Sequence, residues 1–358
     1  MSGSVDIDEL AATDTEIDAD PDADIDIGTA NTMRERANES WIKLWVLLSA
    51  NRLAVTGLLA LAVFAAFVAI GTVIRPSFVS IVRTTSTLKY MFSQLIGVVV
   101  TTTTFVVTIS QLVISQENGP LGEQRRRMSD AMNFREYSQE IIGQPTPADP
   151  SAFLRWLVRA TERRASALRS TIADNDDDQL RAEVDEFTES IIGNATEVRE
   201  ELEGATFGEF GVVFAALDYN YGWKIFQVER LLGDHPDSLT EEDEAILNEL
   251  KTTLSMFGPA REHIKTLYFE WELIDLSQLM IYVSVPALIV AGSMLAFVNG
   301  QSFPGVTLGV PDILWVTAGA FTVTVLPFLL LLSFIARVAT LAKRTLAIGP
   351  LILRGSQR

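Results

Sequence analysis

The sequence predicts an all-α membrane protein with four transmembrane helices and a helical cytoplasmic domain inserted between the second and third. Two observations predict it. Four runs of 22 to 27 residues carry no charge, and roughly 20 apolar residues span a bilayer as a helix. Between the second and third runs lie 159 residues, 117–275, rich in charge and patterned at helical spacing.

The first span is read at Leu53–Ile74 and closes on Arg75-Pro76. The second is Tyr90–Gln116, the third Leu276–Val298, and the fourth Ile313–Ala336, ending at Arg337. Transmembrane pairs thus occupy 53–116 and 276–336. Pro286 and Pro327 fall inside the later two, where a proline kinks a helix and frees a carbonyl. Small residues four apart, Ala62/Ala66, Ala65/Ala69, Ala287/Ala291 and Gly292/Ala296, predict close helix approach.

Residues 1–32 hold ten carboxylates and no lysine or arginine. Such a segment buries too little apolar area to offset its ordering entropy, so it reads as a disordered acidic tail. Residues 33–52 follow, with Trp41, Leu44, Trp45 and Leu48 on one helical stripe. They read as an amphipathic interfacial helix, or as an extension of the first span.

Lysine and arginine near span ends mark the inner side. Arg34, Arg36, Lys43 and Arg52 precede span one, and Arg125, Arg126 and Arg127 follow span two. The tail, 337–358, carries Arg337, Lys343, Arg344, Arg354 and Arg358, whereas 299–312 has no basic residue. Both termini and the large domain therefore read as cytoplasmic, and the location as the cell membrane. Arg75, Arg83 and Lys89 in the first loop run against this order. Asn38 and Asn194 begin glycosylation sequons, which an inward placement leaves unmodified.

The inserted domain has 16 basic and 33 acidic residues, net −17. Phe153, Trp156, Leu157, Ala160, Arg164 and Leu168 trace one face, and Leu180, Val184, Phe187, Ile191, Ala195, Val198 and Leu202 another. Pro145, Pro147 and Pro150 separate helices. Ser238 and Glu241 read as a capping box. From Arg261 no breaker occurs before Pro286, which predicts one helix running from the domain into span three. The chain's net charge of −18, with six lysines, 22 arginines and no cysteine, resembles the composition of proteins working in molar salt, and the alternative is an ordinary protein with one acidic tail.

Little in the sequence reads as catalysis. The absence of cysteine excludes disulfides and thiol chemistry. His235 reads as a turn residue and His263 as a helix-surface or buried one. No nucleophile elbow, phosphate loop or dinucleotide fingerprint occurs, and Gly204, Gly208 and Gly211 lack the spacing for one. Asp174, Asp176 and Asp178 stand at calcium-loop spacing. Gln179 replaces the needed glycine and Asp185 the bidentate glutamate, so the segment reads as an acidic inter-helix turn. No cofactor or enzymatic activity is expected. The acidic balance speaks against nucleic acid as a partner.

The strongest local pattern lies in span two. Gln94, Gly97, Thr101, Thr104, Thr108, Gln111 and Ser115 recur at intervals of three and four, forming a stripe roughly 30 Å long at about 1.5 Å per residue. It reads either as a helix-packing seam or as the lining of a water-filled path. Thr102, Thr103 and Ser110 fall off it. No span contains Asp, Glu, Lys, Arg or His, which counts against a proton-coupled pump and leaves a passive channel open. Arg125, Arg126 and Arg127, at the exit of span two, suit lipid headgroups.

The segment Thr104-Phe105 through Thr108, Leu112, Gln116 and Gly119-Pro120 to Arg125-Arg126-Arg127, with Lys265–Leu273, resembles uncharacterised prokaryotic multi-pass membrane proteins, haloarchaeal ones especially. The two-plus-two arrangement of spans around a helical domain is similar to that of bestrophin-like anion channels. Two functions follow as expectations. One is a homo-oligomeric channel in the lipid bilayer, since four spans rarely enclose a pore alone. The other is a membrane-anchored sensor or scaffold whose domain binds a protein partner.

Overall fold

Asn51 sets the start of the first span: its side chain accepts from the Leu53 amide at 2.8 Å, satisfying a backbone donor that a helix start leaves free. In the computed structural model, which describes residues 46–47, 50–205 and 210–344, helix α1 runs Arg52–Val73. The acidic tail, nearly all of the segment 33–52, Gly208 and residues 345–358 lie outside the described residues. A short helix α2, Phe78–Thr84, leads into α3, Thr87–Glu117. Next come α4 (Leu121–Ile142), α5 (Pro150–Ile172), α6 (Asp178–Glu201), α7 (Phe210–Leu217) and α8 (Tyr221–Asp234). Helix α9 spans Glu241–Phe297 and α10 spans Asp312–Arg344. Among the described residues, α1, α3, α9 and α10 are long and apolar enough to cross a membrane.

The local chemistry explains most boundaries. Pro150 opens α5, where its missing amide costs nothing, and Asp149 caps it through the Ala152 amide at 2.8 Å. Gly143 ends α4 with φ 74°, a conformation only glycine adopts cheaply. Asp177 caps α6, accepting from Gln179 and Leu180 at 2.9 and 3.1 Å, so the acidic segment 174–178 is an inter-helix turn. The capping box before α9 differs from expectation. Thr240 and Asp243 form it, and Ser238 instead donates to Asp177 at 2.7 Å. Both pairs have the right spacing; packing of the α5–α6 turn against this loop selects between them.

Helix α9 also starts 20 residues earlier than Arg261 and passes through Pro259. A proline inside a helix costs about 3 kcal/mol. Here Leu254, Met256, Phe257 and Ala260 are all buried around it, and a side chain on Gly258 would press on the Tyr221 ring at 3.0–3.2 Å. Core packing on both sides of the proline outweighs the lost hydrogen bond.

The domain core is built from α5, α6, α7, α8 and the first half of α9. Leu180, Val184, Phe187, Ile191, Ala195, Val198 and Leu202 are all buried, as their spacing predicts. Arg164, which interrupts the α5 face, donates to the Ile141 carbonyl at 2.7 Å and pairs with Glu249 at 3.3 Å. His235 is not a simple turn residue: it is buried between Asp177 at 3.4 Å and Glu183 at 3.6 Å. His263 is exposed on α9.

In the membrane part, α1 packs on α10, α10 on α9 and α3, and α9 on α3. Hydroxyl pairs tie them: Thr56 to Ser333 at 3.0 Å, Thr103 to Ser284 at 2.7 Å, and Ser110 to Ser277. Ala287 and Ala291 are fully buried. Ala62, Ala65, Ala66 and Ala69 are exposed, so those small pairs do not make the α1 contact. Its close approach is at Gly71, where a Cβ would lie 2.5 Å from Leu314. At the far end a two-stranded hairpin, β1 (Val306–Thr307) and β2 (Val310–Pro311), adds the only strands among the described residues. Arg83 of the first loop donates to the Gly300 carbonyl at 3.2 Å, holding the two far-side loops together.

Asp177 yields a pH prediction. The Ser238 hydroxyl first, then the Leu180 amide, hold its carboxyl below the ordinary 3.8. A depressed carboxylate stabilises the fold fully above its unfolded value and loses that contribution as pH falls through its folded value. Thermal melts should therefore show Asp177→Ala less stable than wild type at neutral pH, with the gap narrowing below pH 3.8. A gap unchanged at strongly acid pH would remove this role.

Candidate functional site

Helix α3 presents two opposite faces. Phe92, Val99, Thr102, Val106 and Ser110 are buried, and this face meets α9 and α10. The polar stripe lies on the other side: Gln94, Gly97, Thr101, Thr104, Thr108, Gln111 and Ser115 are all exposed. The intramolecular seam thus uses the hydroxyls that fell off the stripe.

Some of the stripe is internally satisfied. Thr108 donates to the Thr104 carbonyl and Ser115 to the Leu112 carbonyl, each at 2.8 Å. Such back-bonding makes a hydroxyl cheap in lipid. Gln94 and Gln111 are different, because their amides make no side-chain hydrogen bond among the described residues. A primary amide facing hydrocarbon without a partner costs several kcal/mol, about 4–8 by transfer to cyclohexane. At Gly97 nothing lies within 4 Å of an added Cβ, so the backbone is open to an approaching neighbour.

Beyond α3, Arg125, Arg126 and Arg127 are exposed on α4. Glu123 pairs with Arg126 at 2.9 Å and lies 3.6 Å from Arg127. Arg125 shares its helix face with Leu121, Met128 and Met132, which are 85%, 64% and 52% exposed.

A second polar assembly is formed by charges that lie far apart in the sequence. Arg337 opens the basic tail that the sequence predicts, but α10 continues through it to Arg344, and its side chain is buried. It pairs with Glu272 at 3.1 Å, and donates to the Tyr268 hydroxyl at 3.1 Å and the Ala50 carbonyl at 2.6 Å. Tyr268 donates in turn to Glu272. Arg52, also buried, donates to the carbonyls of Ala50 at 2.7 Å, Val46 at 2.9 Å and Ser333 at 3.2 Å. One cluster therefore joins the ends of α1 and α10 to α9, where α9 leaves the domain. The sequence carries a faint signal of it: opposite charges flank span ends assigned to one side.

Asn194 is buried and holds the Lys224 ammonium at 2.9 Å and the Asp218 carbonyl at 2.8 Å. In the folded domain its amide is therefore closed to glycosylation.

No curated protein matches the chain. No solved structure matches it either, so the bestrophin-like arrangement has only the order of its spans behind it. A family model does match, over residues 18–358. That match takes in all four candidate spans and the inserted domain, and the chain belongs to the DUF7972 family, a family of unknown function.

Proposed function

We propose that this integral membrane protein is a homo-oligomeric, passive ion channel in which α3 of several subunits rings a shared axis. The observation that carries the reading is the exposure of the whole polar stripe, Gln94 to Ser115, on the side of α3 its own protomer leaves open. Facing a water-filled axis, Gln94 and Gln111 would be solvated rather than stranded in hydrocarbon. A neutral polar lining suits passive conduction and supplies no proton relay. The distribution of arginine and lysine favours both termini and the domain in the cytoplasm of a cell-membrane protein. The domain's net charge of −17 favours work at high salt, where screening shortens its self-repulsion. The reading is non-enzymatic, since no catalytic motif stands out in the sequence.

A second reading rests on α9, an unbroken helix of 57 residues from domain to membrane. At about 1.5 Å per residue it is roughly 85 Å long, a stiff coupling suited to a sensor or scaffold that binds a protein partner.

The absence of native cysteine allows a direct test. Single cysteines at Thr101, Thr104 and Thr108 should react with charged, membrane-impermeant thiol reagents, in liposomes at molar salt. Reaction at Thr104 should change ion flux several-fold, because it puts a charge near mid-membrane. Cysteines at Val99 and Val106, on the buried face, should stay unreactive. Unreactive stripe positions in an intact oligomer, or a monomer in detergent, would end the channel reading and leave the sensor.

A further inference from the structure

A cleft of about 350 Å³ opens beside the arginine cluster, between the domain-side ends of α1 and α10 and the middle of α9. Its inner wall holds Arg52 and Arg337, 5% and 6% exposed, together with Glu272. Both guanidiniums donate to the same carbonyl, that of Ala50, at 2.6–3.1 Å, so two cations stand side by side. Glu272 pairs with Arg337, and among the described residues Arg52 has only carbonyl partners. Among the described residues, Arg52, Arg337 and Glu272 therefore carry one positive charge more than they neutralise. The Arg337 Nε is also buried without a hydrogen-bond partner among the described residues.

The outer wall has a different character. Asp275 and Gln278 form an exposed polar rim, and Asp275 makes no ion pair among the described residues. Leu53 and Tyr282, 54% and 72% exposed, continue the cleft along the apolar sides of α1 and α9. From the inside outward, then, the cleft offers excess positive charge, then a carboxylate and an amide, then hydrocarbon-facing surface.

That order is the chemistry of a lipid headgroup followed by its chains. A phosphate suits buried guanidinium, through charge-assisted hydrogen bonds. Asp275 asks for a hydroxyl or ammonium donor a few atoms away. The level also fits, because these span ends lie where headgroups lie. We propose that the cleft is a binding site for the phosphodiester headgroup of a membrane lipid in the leaflet on the domain's side. The phosphate sits toward Arg52 and Arg337, a hydroxyl or amine lies at Asp275, and the chains run along Leu53 and Tyr282. The inference does not depend on ion conduction.

The test uses the full chain, purified in detergent and stripped of lipid. Three probes are added: phosphatidylglycerol, diacylglycerol with the same chains and no phosphate, and glycerol phosphate with no chains. Phosphatidylglycerol should raise the thermal unfolding midpoint saturably, with one lipid per chain retained by native mass spectrometry. Neither of the other probes should. Gln278→Trp, at the exposed rim, should fill the cleft and cut the shift to less than a third. Leu53→Trp does the same from the opposite wall should the first variant fold poorly. An equal shift with diacylglycerol, or an undiminished shift in both occluded variants, would overturn the site. An equal shift with glycerol phosphate would identify a free phosphate ester as the ligand and overturn the lipid.

Discussion

Glu272→Gln should destabilise the full chain by about 3–5 kcal/mol, the usual cost of removing one partner from a buried ion pair. Among the described residues, the glutamate is the one carboxylate hydrogen-bonded to Arg337, at 3.1 Å, and it accepts from Tyr268 as well. Without it, two guanidiniums converge on the Ala50 carbonyl with no negative charge between them. Arg337→Met should cost less than Glu272→Gln, because Tyr268 still donates to the carboxylate and one of the two cations is gone. The double variant should recover a large part of the single losses, since a matched apolar or neutral replacement leaves no stranded charge. Denaturant melts of the four proteins in detergent give the coupling energy directly. A coupling below about 0.5 kcal/mol, the usual scatter of additive sites, would mean the cluster does not clasp the spans to the domain.

The second large effect lies in the domain. Lys224 is 1% exposed, with its ammonium 2.9 Å from the Asn194 side-chain oxygen and 4.9 Å from the centre of the Tyr219 ring. Burial pushes the Tyr219 hydroxyl well above the ordinary phenol range, so it stays protonated and bonded to Thr161. The ring thus remains a neutral, electron-rich face for the cation. Asn194→Leu removes the oxygen from Lys224 and the amide from the Asp218 carbonyl together. A buried hydrogen bond contributes about 0.5–1.5 kcal/mol, and about 1.5–3 kcal/mol where one partner is charged, so losing these two should cost about 2–4 kcal/mol. Asn194→Asp should recover part of it, restoring an acceptor for the ammonium but no donor for the carbonyl. Loss of helical circular dichroism in urea, at fixed salt, measures all three. A loss under about 0.5 kcal/mol in Asn194→Leu, the range of ordinary surface substitutions, would show that water replaces the amide.

The positions of the four long apolar helices were legible because membrane crossing depends on a local sum. An uncharged run long enough to cross must bond its own backbone, and only a helix does that within one segment. The domain helices were legible for a related reason. Leu180 to Leu202 repeat at one helical period, so one face must be covered whatever covers it. Boundaries were harder. Ser238/Glu241 and Thr240/Asp243 are both plausible caps, and local chemistry alone cannot rank them. Pro259 reads as a breaker because its cost is local, whereas the packing that outweighs it comes from helices far along the chain.

By itself, then, the sequence determined the four apolar helices, the helical character of the inserted domain and the existence of a polar stripe on α3. Only the tertiary structure decided that this stripe points away from the protomer, while Thr103 and Ser110 face Ser284 and Ser277. It also turned Arg52 and Arg337 from flanking charges into a buried cluster around Ala50. The physical reason is the same in each case. Hydropathy and periodicity are sums over one segment, but burial is a property of a pair of surfaces, and the partner surface lies 167 to 287 residues away along the chain.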